Sequence, residues 1–398
     1  MTPEDTPLTA NPAQPMASGR ILIIDDNAHS RQLIGAILTA VGYSELEYAV
    51  NGREGLEKAA TFRPDIIVLD IMMPEMDGME FMHHFRASTE LGTTPILVQT
   101  ALSSQDERNQ IYASGASDML TKPISSAELV TRVRTHLELR RLSQAYEEQM
   151  RIQAELDTAS RMQEALLPPK NLITEVQDQT KLTIDSHFQT CSELGGDLWG
   201  VQAFGKTHVA IYTIDFSGHG LGAALNTFRL HTIMGHSRPR FENPAQYLTV
   251  LNDDLKEVLP LGQYATMFYG IIDIENNFLT YAGAGSPFPI LGNLQSGEMD
   301  YIDSSGLPLG MKAGATYENR TIDFPIGTFL FLYSDALIET PDESGAVVNE
   351  STLTDILGEC LKDDDRATPV DRLTQRFYAR CARDPDDDLT MVLVSRPN

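Results

Sequence analysis

Residues 137–169 read LELRRLSQAYEEQMRIQAELDTASRMQEALLPP. The run holds no Gly, and no Pro before Pro168-Pro169. Leu142, Ala145, Gln149, Ile152, Leu156, Ala159, Gln163 and Leu166 recur at alternating steps of three and four, and all are apolar except the two glutamines. That spacing predicts a long helix with an apolar seam on one side. Too few apolar positions flank the seam for a core helix, so it needs a partner. The expectation is a coiled-coil linker over residues 137–167, pairing two copies of the chain. Gln149 and Gln163 would weaken that pairing, as suits an interface that shifts between states.

The two sides of the linker are patterned differently. Upstream, residues 20–24 (RILII), 45–50, 65–70 (DIIVLD), 95–99 and 117–121 are short apolar runs separated by helical spacing such as Leu33, Ile34, Ile37, Leu38 and Val41. Strand alternating with helix predicts a doubly wound parallel sheet over residues 20–136, with its site at the carboxyl ends of the strands. Asp25 and Asp26 end the first strand, Asp70 the third and Thr100 the fourth, and Lys122-Pro123 follows the fifth. One aspartate at a strand end is ordinarily a cap. Three at one rim repel unless a divalent cation lies among them. A lysine and a hydroxyl beside that cation suit an incoming phosphoryl group.

Downstream, residues 168–398 carry grouped strand-like runs at 182–188, 209–215, 265–274, 278–282, 329–334 and 389–395. Helical segments lie near 221–236, 244–259 and 369–381. This predicts a sheet sandwich flanked by helices, an α/β sandwich rather than a second parallel sheet. Asp197, Asp215, Asp335 and the trio Asp386, Asp387 and Asp388 stand at strand ends or turns. Carboxylates converging from distant segments can hold a pair of cations, which activate water and bind phosphoryl oxygens. Oxygen donors favour Mg2+ or Mn2+ over zinc.

The totals narrow the classes. At 398 residues the chain accommodates two ordinary domains and a linker. No apolar run reaches the roughly 18 to 20 residues of a membrane helix. Residues 1–19 lack the basic start and apolar middle of a signal peptide and read as a disordered tail. Cys191, Cys360 and Cys381 show no CxxC spacing, which fits a reducing cytoplasm. A net charge of −26 argues against nucleic acid as a partner.

The upstream region resembles the receiver domain of two-component response regulators. The resemblance rests on Asp25-Asp26, LDIMMPEMDG around Asp70, QTA around Thr100, and TKP around Lys122. It implies Mg2+ held by Asp25, Asp26 and Asp70, with Asp70 as phosphoacceptor for a sensor histidine kinase and Thr100 and Lys122 as switch residues. Many receivers carry an aromatic switch residue where this chain has Met119, which puts the usual aromatic readout in doubt. The last receiver helix, from about Ser125, is expected to run on into the linker.

The downstream region resembles the PPM (protein phosphatase 2C-type) serine/threonine phosphatases, in the branch of SpoIIE and RsbU. The motifs are MQEALLPP, ELGGDLWG, DFSGHGLGAAL, YSDALIE and DDLT. The resemblance implies two Mn2+ or Mg2+ ions held by Asp197, Asp215, the Phe216 carbonyl, Asp335 and Asp387, with His219 a weaker candidate for proton transfer. Gly200 stands where members often carry a second acidic residue, Ala336 where they carry Gly, and Asp386 leaves the choice within the aspartate trio open. GGD alone would suggest a diguanylate cyclase, but Leu198-Trp199 follow where an acidic residue and an aromatic are required. The implied function is a phosphatase controlled by phosphorylation of Asp70. Its implied substrate is a phosphorylated STAS-type anti-sigma factor antagonist in a partner-switching pathway. The alternative is a non-catalytic adaptor that delivers a sigma factor to a protease.

Overall fold

A computed structural model describes residues 18–397, apart from 88–91, 102–103, 219, 237–241, 343, 363–366 and 382. The tail expected over residues 1–19 lies almost wholly outside the described residues. The chain divides into two compact units between Ile152 and Gln153, within the expected linker. No described helix is long and apolar enough to cross a membrane.

The first unit runs β1 (Ile21–Ile24), α1 (Ala28–Ala40), β2 (Leu46–Ala49), α2 (Gly52–Phe62), β3 (Ile66–Asp70), α3 (Gly78–Arg86), β4 (Ile96–Thr100), α4 (Gln105–Ala113), β5 (Asp118–Thr121) and α5 (Ser126–Glu164). The sheet order is β2-β1-β3-β4-β5, parallel throughout, one of the two common doubly wound orders. The continuous apolar runs follow from burial on both faces. Ile66 and Val68 of β3 pack with Ile34 and Leu38 of α1 and Leu129 and Val133 of α5. Ile67 and Leu69 face Phe81, Met82 and Phe85 of α3. The first strand–helix turn is closed by Asn27, whose side chain accepts from the His29 and Ser30 amides.

As the sequence predicts, α5 continues without a break past the sheet. Leu129, Val133 and Leu137 are buried in the first unit. Beyond them Leu139, Leu142, Tyr146 and Met150 form an exposed apolar stripe at steps of three and four.

The second unit begins with the end of α5 and continues α6 (Lys170–Thr180), β6 (Thr183–Gln189), β7 (Leu198–Phe204), β8 (His208–Phe216), α7 (Leu221–His236), α8 (Pro244–Val258), β9 (Ala265–Asp273), β10 (Phe278–Ala284), β11 (Ile290–Asn293), β12 (Met299–Tyr301), β13 (Arg320–Asp323), β14 (Thr328–Tyr333), α9 (Ala336–Glu339), α10 (Glu350–Lys362), α11 (Pro369–Arg380) and β15 (Leu389–Ser395). Two antiparallel sheets result, β13-β10-β9-β8-β7 and β12-β11-β14-β15-β6. Their facing sides share one core, in which Val209, Ile211 and Phe268 meet Leu330, Val392 and Val394. The outer side of the first sheet is covered by α7 and α8 through Leu230, Tyr247, Leu248 and Leu251. The second is covered by α10 and α11 through Leu353, Leu357, Leu373 and Phe377. The period-2 alternation along β15 is visible in these cores: Leu389, Met391 and Leu393 turn to the helices, Val392 and Val394 to the other sheet.

The seam expected along residues 142–166 divides at the unit boundary. Leu142 and Ile152 are exposed, whereas Gln163 is buried and Leu166 and Leu167 pack on the core of the second unit. Gln163 is therefore no seam residue: its side chain belongs to the second unit.

Candidate functional site

In the first unit the predicted acidic rim forms. Asp25 and Asp70 are buried and Asp26 is exposed, and one donor oxygen from each lies within 4.8 Å of the others. The Asn27 cap turns α1 so that Ser30 Oγ donates to Asp25 at 2.6 Å, while the Asn27 amide donates to the other oxygen at 2.8 Å. Burial pushes the Asp25 carboxyl up, Ser30 and Asn27 oppose it, and the Asp70 charge adds to it. Lys122 Nζ stands 2.8 Å from Asp70 and 3.9 Å from Asp25. Thr100 closes β4, and its carbonyl accepts from the Lys122 amide at 2.9 Å. Two buried carboxylates and one exposed carboxylate, all oxygen donors beside a single lysine, fit one hard divalent cation. Met119 is half-buried and packs into the core on the α3 side.

In the second unit the Gly195-Gly196-Asp197 turn is the centre of the arrangement. Asp197 is 2% exposed and accepts a short hydrogen bond from Thr390 Oγ1. Asp388, 1% exposed, accepts from the amides of Cys191 (2.8 Å), Gly196 (2.6 Å) and Asp197 (3.3 Å). A Cβ on Gly195 would lie 2.1 Å from an Asp388 oxygen, so the turn requires glycine there. Thr227 of α7 donates to the Gly196 carbonyl at 2.9 Å, and the turn lies against the Phe216 carbonyl, 3.0 Å from where a Gly196 Cβ would stand.

Asp215 and Asp335 complete the acidic wall. Burial pushes Asp215 up to about 8, and the charges of Asp335, Asp387 and Asp388 add to it. Asp197 is driven well above the usual carboxylate range by burial and then by Asp215 and Asp388. Asp335 is also raised, by burial and then by Glu339. Asp335 and Asp387 line an open cleft of about 220 Å3 with Glu339 and Arg383. Carboxylates buried together at mutual cost are what a pair of cations relieves, and oxygen donors alone suit Mg2+ or Mn2+. The three consecutive aspartates separate by role. Exposed Asp386 and half-buried Asp387 both line the cleft, but Asp386 is paired with Arg383, while Asp388 holds backbone amides. Cys191 also brings its sulfur within 4.8 Å of Asp387 and Asp388. Burial and the Asp388 charge push its thiol up to about 11, and a soft sulfur donor is poorly matched to Mg2+ or Mn2+. His219 lies outside the described residues.

Gly200, where relatives often carry an acid, has a physical reason: a Cβ there would fall 2.2 Å from the Tyr212 ring. Four residues hold the turn: sequence reading placed Gln163 in the seam and Asp388 among the possible cation ligands, and did not single out Thr227 or Thr390. Three of them lie within motifs already singled out, Gln163 in MQEALLPP and Asp388 and Thr390 in DDLT.

Comparison with known proteins finds one family match within each unit. Residues 21–134 match the response regulator receiver domain, and residues 205–397 match stage II sporulation protein E (SpoIIE). Response regulator MprA of Mycolicibacterium vanbaalenii is 42% identical over 118 residues, 30% of this chain and 50% of MprA. The DNA-binding dual master transcriptional regulator RpaA of Synechocystis is 38% identical over 118 residues, 30% of this chain and 48% of RpaA. The chain thus spans about half the length of these two relatives, and 8% of hybrid signal transduction histidine kinase D of Dictyostelium discoideum. Among solved structures, the SiaA-PP2C domain of Pseudomonas aeruginosa superposes with a TM-score of 0.55 at 19% identity, covering 63% of this chain and 98% of that domain. At that identity the likeness is one of fold.

Proposed function

The chain joins a response regulator receiver domain to a phosphatase domain of the SpoIIE type, and from that pairing we propose a protein serine/threonine phosphatase switched by phosphorylation of Asp70. The observation that carries the catalytic half is that Asp197 and Asp215 are buried within each other's charge and that of Asp335, which with Asp387 lines the adjoining cleft. These four side chains and the Phe216 carbonyl are the proposed ligands. Two divalent cations held by these residues would activate water and bind phosphoryl oxygens. The chain's own part is to orient the donors: Thr390 fixes Asp197, Asp388 fixes the turn that carries it, and the open cleft admits a phosphorylated side chain.

In the receiver, Lys122 and the Thr100 hydroxyl are the proposed partners of the phosphoryl oxygens on Asp70, beside a Mg2+ on Asp25, Asp26 and Asp70. The phosphodonor is a sensor histidine kinase. Phosphorylation adds about −1.5 to −2 charge at that rim. Helix α5 carries the change onward, and its exposed stripe of Leu139, Leu142, Tyr146 and Met150 is the proposed surface for pairing with a second copy in the cytoplasm. The proposed substrate is a phosphorylated STAS-type anti-sigma factor antagonist.

The test is hydrolysis of p-nitrophenyl phosphate and of a phosphoserine STAS protein with Mn2+ or Mg2+ added. Activity on both is expected. Failure with every metal, with and without a phosphodonor, would instead favour the adaptor role. A second expectation concerns the helix. Ala154→Pro removes one α5 hydrogen bond and clashes with the preceding turn, at about 3 kcal/mol or more. Basal turnover should survive this change while the response to the phosphodonor is lost; a full response would exclude α5 as the carrier.

A further inference from the structure

Gln99 on β4 is fully buried, and neither its amide nitrogen nor its amide oxygen has a hydrogen-bond partner among the described residues. A flip of the amide cures nothing, because both atoms lack a partner. Buried amides are ordinarily bonded, and leaving one unbonded costs stability. Register and alternation place this side chain. Gln99 pairs with Asp70 on β3 and with Leu120 on β5. Val68, Leu97 and Leu120 of the same three strands pack on the side of the sheet that carries α1 and α5. By the period-2 alternation Asp70, Gln99 and Lys122 share that side. Lys122 continues the ladder, its amide donating to the Thr100 carbonyl at 2.9 Å. Its ammonium stands 2.8 Å from Asp70, two strands away in the order β3-β4-β5. The lysine side chain therefore crosses β4 on the side where Gln99 lies, and encloses the amide beside the proposed phosphoacceptor.

We propose that Gln99 is a positioning residue of the receiver's phosphoryl site, whose amide gains its partners when Asp70 carries a phosphoryl group and so favours that state. The inference rests on the reading of Asp70 as phosphoacceptor and adds a residue to it. At rest the Lys122 ammonium is held by the full charge of the Asp70 carboxylate. A phosphoryl group joined to one carboxyl oxygen removes that charge and sets a denser one beyond it, so Lys122 is drawn from the carboxyl to the phosphoryl oxygens. The carboxyl is then open on the side where Gln99 lies. Nε2 donates to the Asp70 oxygen that bears no phosphorus, and Oε1 accepts from the displaced ammonium. An amide offers this donor and acceptor side by side. An apolar side chain would suit the resting core better but offers neither, and a carboxylate would add a further negative charge beside Asp25 and Asp70. The stability withheld by an unbonded amide at rest is thus recovered in the phosphorylated receiver.

The experiment titrates the full chain, in saturating Mg2+, with beryllofluoride as a mimic of the phosphoryl group, and reads binding by calorimetry. The binding lost in Asp70→Asn defines the receiver site. Chemical denaturation without beryllofluoride is the second reading. Gln99→Met keeps the length of the side chain and removes the amide. It is expected to bind beryllofluoride about tenfold or more weakly, the usual worth of a hydrogen bond to a charged group. It is also expected to resist denaturant at least as well as wild type, because an unbonded amide has left the core. A residue that merely packs would not weaken binding while sparing stability. Wild-type affinity in Gln99→Met, with binding lost in Asp70→Asn, would overturn the inference alone. Weaker binding together with lower stability would overturn it too, since the amide would then be bonded at rest, by buried water or by a neighbour. Beryllofluoride binding that is absent from wild type or unchanged in Asp70→Asn would instead overturn the receiver reading. Gln99→Leu is read in the same two ways, so that a poor fit of the methionine does not decide the matter, and failure of both variants to fold would refute the inference.

Discussion

Asp215→Asn is expected to abolish phosphatase turnover while making the metal-free protein more stable at neutral and higher pH. The loss of turnover follows from removing a proposed cation ligand at the centre of the carboxylate cluster, where the cations would activate the attacking water. The gain in stability follows from linkage. The Asp215 carboxyl is raised to about 8 in the folded chain, first by burial and then by Asp335, Asp387 and Asp388, against about 3.9 in an unfolded one. The folded state therefore holds the proton more tightly. The stability this group contributes is fully present below about pH 4 and is lost as pH rises through about 8. Asparagine has the same shape and no charge to lose. Melting curves of the metal-free chain between pH 5 and pH 9 should slope downward for wild type and less steeply for Asp215→Asn. Mn2+ should flatten the wild-type slope. Retained turnover at saturating Mn2+ would remove Asp215 from the ligand set.

Asp388→Ala should be the most destabilising single change at the site, although the side chain is not a proposed metal ligand. Its two oxygens accept from three backbone amides, those of Cys191, Gly196 and Asp197. The last two are buried donors that alanine leaves without this partner, at about 1 to 3 kcal/mol each. Relief of repulsion on Asp197 and Asp215 offsets part of this, so the net cost is expected at about 2 to 4 kcal/mol. Turnover should fall with it, because the turn that carries Asp197 loses its main anchor. Asp386→Ala is the control: Asp386 pairs with Arg383 on the surface, where such a pair contributes about 0 to 1 kcal/mol. Equal effects of the two substitutions, in chemical denaturation and in turnover, would erase the distinction between them.

How much of this was legible beforehand differs between the halves. A parallel sheet writes its strands as continuous apolar runs, so all five strands of the receiver could be read, with the site residues at their ends. The phosphatase half was read less completely. Strands β12 and β13 lie at sheet edges and carry the polar segments MDY and RTID, without the apolar run that marks a central strand. Strand β7 starts directly after Gly195-Gly196-Asp197 and has Gly200 in its middle, kept small by the Tyr212 ring. Helix α10 contains Thr352, Thr354 and Gly358, which blur its helical period. Among functional residues, the aspartates stood out because carboxylates at strand ends are chemically conspicuous. The groups that orient them were silent in that role, because Thr227 and Thr390 act on partners distant in sequence and Asp388 was indistinguishable from its two neighbours. Gln163 was read as a flaw in a seam, because spacing places a side chain on a helix face and does not say which body covers that face.

The most direct test of receiver control is dephosphorylation by the full chain with and without beryllofluoride and Mg2+, which mimic the phosphoryl group on Asp70, in wild type and in Asp70→Asn. A rate that changes with beryllofluoride in wild type and stays fixed in Asp70→Asn is the predicted result. A wild-type rate indifferent to beryllofluoride, in a protein that hydrolyses its substrate, would contradict it.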